Sequence, residues 1–226
     1  MSDSVKRLVE AGLVLGVQQD QDDDRYSRIT FQDGQLYLHV LQHQPPPTHA
    51  HTIQVSEVLE ALDHSSTLVF LDLAWPGSAR RRLHIQLIGD TTKIRQFVLL
   101  CTGQHSGSSY LNTKLLQVWD KGQPGECVRG GDYQYNNGRG GAALLSHQDD
   151  HQYQKSGSAG AVGSRRWWGS HRSAQFFIST RDRTDGHQWY DVFGKVVIGL
   201  DVVRAAVNHS DITEVTVVDC GVVLTL

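Results

Sequence analysis

Along most of this 226-residue chain apolar and polar positions alternate with a period of two, and helical spacing takes over in only a few places. The run "VKRLVEAGLVL" (residues 5–15) predicts a short helix ending near Gly16. "YSRITFQDGQLYLHV" alternates on both sides of Asp33-Gly34, a pair that favours a two-residue hairpin turn. "QPPPTHAH" (44–51) carries three prolines and can continue neither strand nor helix. "VSEVLEALDH" then places Val55, Val58, Leu59 and Leu62 on one helical face, with Ser56 as its N-cap. "TLVFLDLAW" and "RRLHIQLIG" are strand-like runs on either side of Pro76-Gly77 and predict a second hairpin. In "TTKIRQFVLLCTG" the positions Ile94, Phe97, Val98 and Cys101 recur at helical spacing, and Gly103 stops the helix. After a glycine-rich middle come strands in "AQFFIST" and "DVFGKVVIG", a helix over 200–208, and a closing strand in "ITEVTVVDCGVVL". From Thr67 onward, many strands with only two helices point to a mainly β fold, a closed barrel capped by helices at its ends. Residues 1–65 then form a small α/β appendage and residues 66–226 the barrel domain.

Bulk composition narrows the function classes. Hydrophobic residues at 39% and charged residues at 20% describe an ordinary water-soluble chain, and a net charge of −3 disfavours nucleic acid as a partner. Cys101, Cys127 and Cys220 are too few and too scattered for a disulfide framework or a zinc site, as expected in a reducing compartment. The first residues lack a signal-peptide pattern and no apolar run reaches membrane-spanning length, so an intracellular location, cytoplasm or nucleus, is expected. The acidic loop "QDQDDDR" reads as a solvated surface. Twelve histidines raise the question of metal. His49/His51 and His147/His151 lack a carboxylate or cysteine at ligand spacing, so neither metal nor cofactor is expected.

Seven segments in order carry a resemblance: "VFLDL", "FVLLCTG", "GGDY" (130–133), "NNGRGG" (136–141), "QFFIST", "VFGKVVIGLDVV" and "ITEVTVVDCG". Over these residues the chain resembles a cyclophilin. The resemblance implies an eight-stranded antiparallel barrel with a helix at each end. It also implies peptidyl-prolyl isomerisation, a rotation about the X–Pro amide that needs no covalent step. In the family an arginine donates toward the prolyl amide, and a phenylalanine-lined pocket holds the proline ring.

Carried over position by position, most of that machinery is missing. The family's Phe-His-Arg falls on Leu115, Leu116 and Gln117, so a neutral amide replaces the guanidinium. Its Phe-Met-x-Gln becomes Glu126, Cys127, Val128 and Arg129, which puts a carboxylate where an aromatic pocket wall belongs. An Ala-Asn pair that grips substrate backbone becomes Arg165 and Arg166, and the tryptophan beyond the double-Phe strand falls on Arg183 or Asp185. Gln175 and Phe177 keep their family identity. A pairing of Arg129 with Glu126 would fill the pocket. "SRRWWGSHR" (164–172) sets Trp167 and Trp168 among Arg165, Arg166 and Arg172, a combination typical of binding hot spots.

The expectation is therefore a noncatalytic cyclophilin-like interaction module within a regulatory or scaffolding complex. Its degenerate groove is Gln117, Glu126, Cys127, Arg129, Gln175 and Phe177, and its binding rim is Arg129, Arg165, Arg166, Trp167, Trp168 and Arg172. The partner would be a protein segment of acidic or aromatic character, and residues 1–65 would dock on the barrel or mediate self-association. A weak prolyl isomerase or folding helper is the alternative, and a nucleic-acid adaptor the third reading.

Overall fold

The computed structural model describes residues 2–20, 23–62, 67–105, 107–146, 154–164, 170–184 and 187–224. The first helix, α1 (Asp3–Glu10), starts at Ser2, whose hydroxyl accepts from the Val5 N–H, and it stops five residues earlier than the apolar spacing predicts. Gly12, in the left-handed region at φ 69°, turns the chain into strand β1 (Val14–Gln19). Gly16 thus lies inside a strand. A Cβ there would stand 2.7 Å from Val55 Cγ2, so the glycine admits helix α2 (Val55–Glu60) onto the sheet. That helix is capped at Gln54 with no side-chain bond; Ser56 lies within its first turn and is not the N-cap.

Strands β2 (Asp24–Gln32) and β3 (Gln35–His39) form the expected hairpin, with Asp33 at φ 50° and Gly34 at φ 81° as a two-residue turn. The proline segment leads to a short strand β4 (His51–Gln54), parallel to β1. β5 (Leu68–Ala74) and β6 (Arg81–Leu87) form the second hairpin. Helix α3 (Thr92–Thr102) is capped by Thr91 and ended by Gly103 in the left-handed conformation, as its sequence predicts. β7 (Gln117–Trp119), β8 (Cys127–Gly130), β9 (Gln154–Ser156), β10 (Ala161–Gly163), β11 (Phe176–Ser179), β12 (Trp189–Ile198), α4 (Leu200–Val207) and β13 (Thr216–Leu224) complete the fold.

The closed eight-stranded barrel is not what the ladders form. Among the described residues the strands make one open path, β4-β1-β2-β3-β13-β5-β6-β12-β10-β11-β8-β7, with β9 paired to β12. Both ends are edges. The segment ahead of β7 meets β13 at one isolated antiparallel bridge, Lys114–Thr216, flanked by Asn112 N–H to Val217 C=O (2.7 Å), Val217 N–H to Thr113 C=O (2.8 Å) and Leu115 N–H to Val215 C=O (2.9 Å), and not through a ladder.

β13 joins the two parts of the chain. It pairs with β5 on one side and with β3 on the other, Gly221 opposite His39 and Leu224 opposite Leu36. Alternation along these strands sends Leu38, Cys220, Val222, Val69 and Leu71 into the same apolar core as Val9, Val55, Phe97, Phe176 and Phe193. The opposite face carries a charged network. Asp219 Oδ2 accepts from Arg28 (2.8 Å), Arg80 (2.8 Å) and His39 Nδ1 (2.9 Å), while Asp72 takes Arg80 and Arg82. Burial tends to raise the Asp219 pKa, but the His39 hydrogen bond and the surrounding positive charges hold it below the usual range. Among the described residues no helix is long and apolar enough to cross a membrane.

Candidate functional site in the rewritten groove

Antiparallel register builds the site. Gln117 stands directly opposite Arg129 across β7–β8, Arg129 opposite Phe177 across β8–β11, and Phe177 opposite Gly163 across β11–β10. Directly opposed residues share a face, so Gln117, Arg129 and Phe177 project into one groove. Gln117 is exposed, Arg129 half-buried, and Phe177 fully buried. A Cβ on Gly163 would lie 2.6 Å from the Phe177 ring, so the glycine makes room for that ring.

A tryptophan that the sequence pattern left out packs on Phe177. Trp189 begins β12, is 4% exposed, and lies against Phe177 with ring centroids 4.8 Å apart. Its placement comes from an irregularity in β12, where the pairing register shifts between Trp189 and Val192 and Asp191 adopts φ 58°. Such a bulge re-aims the side chains beside it. Trp189, Phe177, Cys127, Ala161 and Val192 form a separate small core with Trp119 packed against it. The Arg183 guanidinium covers the outer face of Trp189 at 4.5 Å. Arg183 thus reaches the groove as a cover on an indole supplied from β12, six residues further on.

Glu126 does not pair with Arg129, and alternation explains why. Residues 127 and 129 face the groove, whereas Glu126 turns the other way. Its carboxylate accepts from the Thr180 hydroxyl (2.5 Å) and the Gly122 N–H (2.6 Å), with Arg181 Nε at 3.6 Å. Burial raises its pKa, and these hydrogen bonds together with the Arg181 charge outweigh that and hold it below the usual carboxylate value. Glu126 lines a polar cleft of about 220 Å³ with Thr180, Arg181, Arg204 and Asn208, beside α4.

The other groove wall is the loop 132–142, pinned from inside. Asp132 Oδ1 accepts from the N–H groups of Gln134 and Tyr135, and Oδ2 from those of Asn137, Gly138 and Gly140. Buried Gln175 donates to the carbonyls of Gly138 (3.1 Å) and Gly140 (2.7 Å), so it fixes this loop. Arg129 lies along Gly138, where an added Cβ would be 2.5 Å from its Nη2, and its guanidinium sits 5.5 Å from the Trp119 ring centre. Arg172 ends a short 3-10 turn (Ser170–Arg172), and its carbonyl accepts from the Gln175 N–H at 3.0 Å. The structure thus gathers Gln117, Cys127, Arg129, Gln175 and Phe177 and sets Glu126 apart. Arg165, Arg166, Trp167 and Trp168 lie outside the described residues.

Comparison with known proteins agrees with this architecture. The fold is similar to that of the Mimivirus cyclophilin crystal structure, at a TM-score of 0.53 and 19% identity, covering 74% of this chain and 95% of that one. The family described as "Cyclophilin type peptidyl-prolyl cis-trans isomerase/CLD" matches residues 74–222. With its fold and groove register in place, the chain belongs to the cyclophilin-type peptidyl-prolyl cis-trans isomerase family.

Proposed function

We propose that this cyclophilin is a noncatalytic protein-interaction module of a regulatory or scaffolding complex, with a groove that recognises an acidic or aromatic-containing segment. One observation carries this reading: Trp189 packs on Phe177, the residue that forms the floor of the family's proline pocket. Two further features support it. The row position that holds the family's arginine is the exposed, neutral Gln117, and the cationic side chains around the groove favour acidic ligands.

A second reading, weak isomerase activity, is favoured by a specific feature. Family and chain differ by a reciprocal exchange. Gln117 stands at the arginine position and Arg129 at the glutamine position directly opposite, so the groove keeps a guanidinium one strand away. One strand spacing is about 4.8 Å, well beyond hydrogen-bond tolerance, so the same donor geometry is lost.

The test is selection from a random peptide library with the purified protein, then affinity measured at two salt concentrations. Acidic or aromatic sequences should be enriched, bind more weakly at high salt, and lose binding in Arg165→Glu/Arg166→Glu. Enrichment of X–Pro turns that the double variant still binds would overturn the proposal.

A further inference from the structure

On the sheet face that carries the charged network, three side chains form one hydrogen-bonded row. Thr30 Oγ1 lies 2.8 Å from His39 Nε2, and His39 Nδ1 lies 2.9 Å from Asp219 Oδ2. Asp219 is held ionised and can only accept, so His39 Nδ1 carries the proton of the neutral ring. His39 Nε2 is then left to accept from the Thr30 hydroxyl. A hydroxyl held by a base that a third group orients is the arrangement of an activated nucleophile. We infer that Thr30 is an acyl acceptor, which takes a short apolar acyl group from an activated ester or thioester and seats its chain in the cavity beside α1.

The cavity supports this choice of ligand. Partly exposed Thr30 lines a space of about 290 Å³ between α1, β1, β2 and the proline segment. Val9, Val14, Leu15, Ile29, Pro45 and Pro47 supply its apolar wall. At about 30 Å³ for each group the size of a water molecule, it holds roughly ten such groups, so a chain of roughly four to eight carbons fits and a long fatty chain does not.

Transfer balances without any further reactant. Thr30 Oγ1 bonds to the carbonyl carbon while its proton moves to His39 Nε2, and Asp219 stabilises the imidazolium that forms. The bond from the carbonyl carbon to the leaving oxygen or sulfur then breaks, and His39 returns the proton to the departing alcohol or thiol. Arg28 stands two residues back on the same strand face and lines the same cavity, so its half-exposed guanidinium adds positive charge that favours the developing oxyanion.

Four elements surround the base. Arg28 and Thr30 reach His39 from β2, the Phe70 ring from β5, and Asp219 from β13, while the Arg82 charge acts on it from β6. Burial lowers the His39 pKa below its ordinary 6.5 and outweighs the Asp219 hydrogen bond and charge, with Arg28 and Arg82 lowering it further. The ring is therefore a free base at neutral pH. A row that only tied β2 to β13 would add stability and leave the hydroxyl unreactive.

The experiment treats the purified 226-residue chain with p-nitrophenyl butyrate and p-nitrophenyl laurate, follows nitrophenol release, and locates the adduct by mass spectrometry. The butyrate should release one equivalent of nitrophenol with a matching mass gain on the peptide that holds Thr30, and the laurate should react far more slowly. Thr30→Ser should still be labelled and Thr30→Val should not. His39→Gln should slow labelling by about 10² or more, the scale of general-base assistance. Thr30→Val keeps the outline of the side chain and carries the test if His39→Gln does not fold. Wild-type labelling, corrected for the buffer reaction, should level off above pH 6.5, once His39 is neutral. Labelling no faster than the buffer reaction, or an adduct that Thr30→Val retains, would overturn the assignment. So would a rate that keeps climbing between about pH 7 and 10, as expected of lysine amines.

Discussion

Replacing Trp189 with alanine should unpack the filled pocket, and the size of the effect is set by what the indole touches. Trp189 is 4% exposed and is stacked on one side by Phe177, which has no exposed surface, and on the other by Arg183. Removing a buried tryptophan side chain costs about 3–5 kcal/mol, part from lost transfer energy and part from the cavity left behind. For a chain of this size each kcal/mol lowers Tm by roughly 2–4 °C, so a fall of about 6–20 °C is expected. Urea denaturation should show the midpoint moving with an unchanged m-value, because a packing defect alters stability and not the surface exposed on unfolding. The opened site should also let a proline-containing peptide shift the Phe177 ring resonances, which it should not do in the wild type. A cost under about 1 kcal/mol, or equal Phe177 shifts in both proteins, would refute the idea that Trp189 fills the pocket.

Two further perturbations test how the groove and the N-terminal strands are supported. Lys93 is buried on α3 with its ammonium held by the carbonyls of Ser173 and Gln175; burial lowers its pKa from 10.5 to about 7, with Asp191 opposing. The unfolded chain keeps that proton up to 10.5 and the folded chain releases it from about 7, so between these values the unfolded state binds more protons and stability rises with pH. The full gap corresponds to about 5 kcal/mol, an order-of-magnitude figure. Lys93→Met should flatten the rise in urea midpoint between pH 7.5 and 10, and parallel pH profiles for the two proteins would count against this placement. Asp219→Ala leaves Arg28, Arg80 and His39 without their shared carboxylate. Because both arginines are about half exposed, a loss of about 2–4 kcal/mol is expected, less than for a fully buried pair. Hydrogen exchange should show the β3–β13 seam opening first; uniform protection would contradict the role given to that network.

What the chain made legible was local. Asp33-Gly34, Gly103 and the Phe97 face of α3 declared themselves through φ requirements and short-range periodicity. The family's segment order grouped Gln117, Arg129 and Phe177, and the β7–β8 and β8–β11 registers set these three opposite one another. Long-range pairing was not legible. Nothing in the pattern of Gln35–His39 says that it joins the far side of β13, because period-two strands specify a face and not a neighbour. Gly16 looked like a helix stop because its real reason, contact with Val55 thirty-nine residues later, leaves no local trace. Trp189 was missed because the apolar run was taken to begin at Asp191, and a bulge is what aims the indole at Phe177. The signal was there in an aromatic pair just ahead of "DVFGK".

The central claim is that this chain has kept its family's fold and lost its chemistry. The most direct measurement is exchange NMR on a standard X–Pro peptide, with and without the purified 226-residue chain. Cis–trans exchange should stay at the buffer rate, since loss of a preorganised donor at Gln117 alone costs about 10²–10³ in rate, and Trp189 packs on Phe177, the proposed floor of the proline pocket. Gln117→Arg should remain inactive for the second of these reasons. Wild-type exchange near that of an ordinary cyclophilin would contradict the account.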